Sequence, residues 1–80
     1  MIEMLVIVSL TFMDGSITRH KNEDDTFPIV RAETGDKAVS LCQKEGDKIV
    51  TEMKSIFKDH RPKPSTFFLV CSEKENKENE

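Results

Sequence analysis

Residues 34–60 read TGDKAVSLCQKEGDKIVTEMKSIFKDH, and this stretch decides the fold. Ala38, Leu41, Cys42, Ile49, Met53, Ile56 and Phe57 recur at spacings of three, four and seven, which places them on one helical stripe. Lys37, Lys44, Lys48, Glu52, Lys58 and Asp59 fall on the other side. The pattern predicts a long amphipathic helix over about residues 36–60. Thr34 supplies an N-cap, and Asp36 places a negative charge at the positive end of the helix dipole. Pro62 and Pro64 stop it, and Lys58, His60 and Arg61 suit its negative C-terminal end. Gly46 interrupts the pattern, at a cost of about 1 kcal/mol relative to Ala inside a helix. The Glu45-Gly46-Asp47 trio could end a first helix. We read one continuous helix instead, with Gly46 on the buried stripe, where a missing side chain admits close approach to a sheet.

Upstream of the helix the period changes from 3.6 to two. Residues 4–12 alternate: Met4, Val6, Val8, Leu10 and Phe12 share one face, and Leu5, Ile7, Ser9 and Thr11 share the other. The first face is uniformly apolar and should meet the helix. The second starts apolar and turns polar, which suits a half-covered sheet. Asp14-Gly15 then signals a hairpin with a tight type I′ turn. Residues 17–20, Ile17, Thr18, Arg19 and His20, form a short returning strand with mostly polar side chains. A solvated turn at residues 22–25 leads to a third strand over about residues 26–32, in which Pro28 marks an edge or a strand start. Beyond the helix, residues 66–71 are apolar on both faces, so this last strand is expected to be central. The order is β-β-β-α-β, an α+β domain with one small sheet covered on one face by a single long helix. A right-handed crossover through the helix would make strands three and four parallel. Nothing in the sequence covers the sheet's other face.

Eighty residues make one domain, here residues 1–71, followed by a charged tail at 72–80 without apolar residues that is expected to be disordered. A domain of this size has a small core and correspondingly small net stability. The N-terminal apolar run lacks the basic start and small-residue cleavage pattern of a signal peptide, and it is far short of the ~20 residues a membrane span needs. Cys42 and Cys71 lie in apolar runs, with no paired-cysteine motif. The simplest reading is two buried, reduced thiols in a cytoplasmic protein, with a Cys42–Cys71 disulfide as the alternative. Net charge is −3, of which the tail's four Glu and two Lys supply −2, so the folded part is nearly neutral. That balance argues against both a basic nucleic-acid binder and an acidic nucleic-acid mimic.

Candidate chemistry is sparse. His20 lies between Arg19 and Lys21, and His60 closes the helix; neither is at ligand spacing from a cysteine, and each reads as a surface residue rather than a base. Three adjacent acids, Glu23-Asp24-Asp25, lack the alternate spacing of a calcium loop. Gly15, Gly35 and Gly46 are scattered and make no phosphate loop. No enzyme activity, cofactor or metal is therefore expected. Two basic clusters, Arg19-His20-Lys21 and Lys58, His60, Arg61 and Lys63, would serve nucleic-acid binding only if they converged, and no Trp or Tyr is present to stack bases. Protein binding remains, by strand addition at an exposed sheet edge or by the uncovered face. The expected contact residues are Ile17, Arg19, His20, Lys21, Thr26 and Arg31. A second copy of the chain that seals the bare face is a further candidate partner.

Residues 27–39, FPIVRAETGDKAV, run from strand through Ala32-Glu33-Thr34 into a helix that opens with Asp36 and Ala38. This junction is similar to that of small phage-encoded inhibitors of bacterial RNA polymerase. The longer helix and the Lys/Glu tail depart from that pattern, and no contact residue of the family maps onto this chain. The resemblance implies a small accessory protein that binds and occludes a host bacterial protein.

Overall fold

The computed structural model describes residues 1–74. Its elements are β1 (Ile2–Thr11), β2 (Ile17–Arg19), β3 (Ile29–Ala32), α1 (Gly35–Ile56) and β4 (Thr66–Glu73). This is the expected β-β-β-α-β order, an α+β fold with one long helix. β1 is the hub of the sheet. β4 pairs antiparallel along it from Met4↔Glu73 to Thr11↔Thr66. On the opposite side, β3 pairs with residues 2–5 and β2 with residues 9–11, both antiparallel. The gap between them is bridged by the main chain: Val6 N–H donates to Pro28 C=O at 2.8 Å, and His20 N–H donates to Val8 C=O at 2.9 Å.

Three expectations about the sheet are corrected. The last strand is not central: among the described residues β4 pairs only with β1, and Phe68 and Val70 are half exposed. Its two apolar faces misled because only one meets the helix. β3 and β4 run in the same direction, as a crossover through α1 requires, but β1 stands between them. β3 also starts at Ile29 rather than at residue 26, because Thr26 is tied into the preceding turn and Pro28 lacks a donor.

Thr34 caps α1 as expected, its Oγ1 accepting from Lys37 N–H at 3.3 Å. The helix is continuous through Gly46, which faces β4. A Cβ built there would lie 2.9 Å from Leu69 Cγ and closer still to both of its methyl carbons, so the absent side chain is what lets α1 settle on the sheet. Ala38, Cys42, Gly46 and Ile49 are its buried residues, and Met53 and Phe57 pack at the margin. Leu41 and Ile56, assigned to the stripe by spacing, lie outside it at 42% and 55% exposure. The helix ends at Ile56, four residues short of expectation. Beyond it, bonds of the i→i+3 type tighten the chain (Lys58 to Ser55, His60 to Phe57), while Phe57 turns edge-on to Phe12 with ring centroids 6.2 Å apart.

The core lies between α1 and one face of β1. Met4, Val6, Val8 and Leu10 are buried, and Val6 and Val8 are inaccessible to solvent. Cys42 and Cys71 are joined by a disulfide, with Cα atoms 6.1 Å apart. This corrects the reduced-thiol expectation. Cys42 lies on the sheet-facing stripe of α1, and Cys71 has the parity that turns a β4 side chain toward the helix, so the topology brings two distant residues within bridging distance. The cytoplasmic expectation loses the support it drew from free thiols. No helix among the described residues is long and apolar enough to cross a membrane.

The hairpin turn also differs from expectation. Phe12 N–H donates to Ser16 C=O and Gly15 N–H to Phe12 C=O, with Gly15 at φ 89°, while Asp14 keeps a negative φ. This is a three-residue loop ending in a left-handed residue, rather than a two-residue type I′ turn. The expected tail now begins late: residues 72 and 73 belong to β4, and Lys74 N–H donates to Glu3 C=O. The rest of that expectation, at 75–80, lies outside the described residues.

Candidate functional site: the uncovered sheet face

Strand alternation sends Leu5, Ile7, Ser9 and Thr11 to the face of β1 opposite α1. Register then places their neighbours: Ile29 and Ser72 flank Leu5, Val70 flanks Ile7, Arg19 and Phe68 flank Ser9, and Ile17 and Thr66 flank Thr11. No described element covers this face. It presents Leu5, Ile7, Ile17, Ile29, Phe68 and Val70 together, and Phe68 at 56%, Ile17 at 54% and Val70 at 50% exposure are its most open members. Monomeric proteins rarely leave a contiguous apolar patch of several strands bare, and such patches usually mark contact surfaces.

Polar groups frame the patch. At one end Arg31 Nε donates to Glu3 Oε2 at 2.6 Å across the β1–β3 pair. This hydrogen bond, assisted by the charge of Arg31, holds the Glu3 carboxyl below its ordinary value. Between β2 and β3, where β1 has no strand partner, Ile7, Arg19, Lys21, Asp25 and Phe27 line a shallow depression. Lys21 is committed there, with Nζ 3.4 Å from Asp25 and 5.3 Å from the centre of the Phe27 ring.

The six expected contact residues divide. Ile17, Arg19 and Arg31 lie on the uncovered face, and Lys21 lines its depression. His20 gives its main-chain N–H to β1. Thr26 is fastened in the turn by Asn22 and Asp24. The two basic clusters are not on one edge, since β2 borders β1 on one side and the α1–β4 connection adjoins β4 on the other. Leu5, Ile7, Ile29, Phe68 and Val70 were missed as contact residues. The alternation of β1 already pointed to Leu5 and Ile7, whereas Phe68 and Val70 were hidden by the expectation that β4 was buried on both sides.

The second feature is an edge. Lys74 bonds Glu3, so antiparallel alternation assigns the inward main-chain groups of β4 to the even-numbered residues and the outward ones to Phe67, Leu69, Cys71 and Glu73. These outward groups have no strand partner among the described residues. The outer edges of β2 and β3 are also unpaired among the described residues, but they are three and four residues long against eight for β4. Among the described residues no group of three His, Cys, Asp or Glu side chains is placed to hold a metal ion. Comparison with family models, with curated proteins and with solved structures returns no match to this chain.

Proposed function

We propose that this chain is a non-enzymatic protein-binding module that docks a partner protein on its uncovered sheet face. The observation that supports the reading is the six-residue apolar patch spanning all four strands with charged groups at its margin, the arrangement of an apolar interface core inside a polar rim. The face offers aliphatic and aromatic side chains, two arginines, Glu3 bonded to Arg31, and the hydroxyls of Ser9, Ser72, Thr11 and Thr66, a stock suited to contact rather than to acid–base or nucleophilic chemistry. Capture on the immobilised chain tests it. Wild type should retain a stoichiometric partner from host lysate, and Ile17→Asp, a change at a half-exposed position on β2, should lose it while remaining folded. Equal capture by both, or none by wild type, rejects the reading.

The finer form, drawn from the resemblance at residues 27–39, is a phage-encoded inhibitor that occludes a host bacterial protein such as RNA polymerase. Saturating chain should then reduce transcript yield from purified bacterial polymerase, and full yield ends that form. Cytoplasmic action of this kind would leave Cys42 and Cys71 as thiols in cells, since persistent disulfides belong to oxidising compartments. Differential alkylation of protein taken directly from cells reads which state it holds.

A second reading has one observation in its favour. Phe68 is exposed in the same cross-strand row as Arg19, joined through Ser9, which puts a stacking surface beside a cation. It predicts single-stranded nucleic-acid binding that weakens steeply with salt. A flat titration at low salt dismisses it.

A further inference from the structure

The β4 edge raises a separate question, because edge strands of this length are normally blunted by charge, proline or a bulge. Residues 66–72, TFFLVCS, contain no charged residue, proline or glycine. Four outward donors and four outward acceptors, on Phe67, Leu69, Cys71 and Glu73, therefore form a regular row that is unpaired among the described residues.

We propose that a second copy of this chain occupies that edge, its β4 pairing antiparallel with the first about a twofold axis at Val70. The outward groups all lie on odd-numbered residues, so a twofold at Val70 matches Leu69 with Cys71 and Phe67 with Glu73 in hydrogen-bonded pairs. The side chains of these residues share the helix side of the sheet. Lys54 Nζ stands 5.7 Å from the centre of the Phe67 ring, at one end of the strand. The exposed Glu73 stands at the other end. Antiparallel pairing places Glu73 of each copy beside Phe67, and hence beside Lys54, of the other. The edge is thus complementary to itself in hydrogen bonding and in charge, as a twofold interface requires. Pairing also joins the two uncovered faces, with Phe68 and Val70 of both copies adjacent, into one wider apolar surface.

Sedimentation equilibrium on the whole chain tests this. Wild type should dimerise. Lys54→Glu and Glu73→Lys should each weaken the dimer about tenfold or more, because each reversal acts twice across the axis. The Lys54→Glu/Glu73→Lys double variant should return to within about threefold of wild type, since the exchanged charges again attract. Both positions are exposed, so these changes do not threaten the fold. A wild-type chain that stays monomeric to about 1 mM, the weak end of specific association, overturns the proposal. So does a dimer indifferent to both charge reversals. A dimer dispersed by Ile7→Ser instead would place the contact on the uncovered face and likewise overturn it. Partner capture by the uncovered face can succeed or fail independently of these results.

Discussion

The two faces of β1 are built from the same residue types and have opposite fates. Met4, Val6, Val8 and Leu10 are sealed under α1, whereas Leu5 and Ile7, on the same strand and equally apolar, look out from a face without a cover. The difference teaches that hydrophobicity sets which residues could be core, and that the number of covering elements sets which are. One helix can cover one face. The other face stays uncovered, and if it binds a partner as proposed, its composition should matter less to folding than to binding.

Leu10→Ala should break the covered face most severely, costing about 2–5 kcal/mol in urea unfolding, a large share of what a domain of this size has. Ile7→Ser, on the uncovered face but partly buried among its strand neighbours, should cost less, about 1 kcal/mol, near the centre of the range for point changes. Similar costs for the two would mean that the faces are not distinct. Next in size is the bridge between α1 and β4. Replacing Cys42 and Cys71 with Ala should lower stability by about 2–4 kcal/mol, because the bridge closes a loop across a sequence separation of 29. Unchanged unfolding in the presence of reductant would contradict this.

Gly46→Ala sharpens the same contrast from the helix side. Ala favours a helix by about 1 kcal/mol, yet its Cβ would collide with Leu69 on the covered face. A net loss of about 1 kcal/mol or more is expected, as in other overpacked sites. The Gly46→Ala/Leu69→Ala double variant should lose less than the two single changes combined. Adding a methyl without harm would place the helix farther from the sheet.

Smaller effects belong to two loops that share one design. Asp14-Gly15-Ser16 and Asp24-Asp25-Thr26 make the same turn: the first Asp accepts from the main-chain N–H and hydroxyl of the Ser or Thr, and the middle residue has positive φ. The middle residue is Gly15 in one and Asp25, at φ 65°, in the other. Asp25→Gly should be neutral to stabilising by up to about 1 kcal/mol, and Gly15→Ala destabilising by about 1 kcal/mol. The opposite order in thermal melts would sink the assignment. Least of all is the acid response. Glu3 is lowered by its bond from Arg31 and Asp14 by its bonds from Ser16. Each therefore contributes stability above its unfolded value that is lost as pH falls through the lowered folded value. Ser16→Ala should raise the Asp14 value toward normal in a carboxyl NMR titration. An unchanged titration would remove Ser16 as the cause.

Element order, the helix cap, its continuity through Gly46 and the bare face were legible in the residues, because each follows from local period or turn chemistry. The place of β4 was not. Residues 66–71 look central by composition, and only pairing reveals that β1 takes the middle. The disulfide was hidden for the same reason: Cys42 and Cys71 face each other through topology, which spacing along the chain does not encode. Of the candidate site, Ile17, Arg19 and Arg31 were legible from an exposed strand pattern. Phe68 and Val70 required the register.

The central position of β1 also has a consequence for birth on the ribosome. The strand that every other strand pairs with is made first, and the one that completes its ladder is made last. At ~5–20 residues per second, β1 waits several seconds with one side unpaired before β4 has been synthesised. Until then the apolar residues from Met4 to Leu10 lack the last strand that pairs along them. Nascent chains of this protein should therefore depend on holding factors or dilution more than its short length suggests.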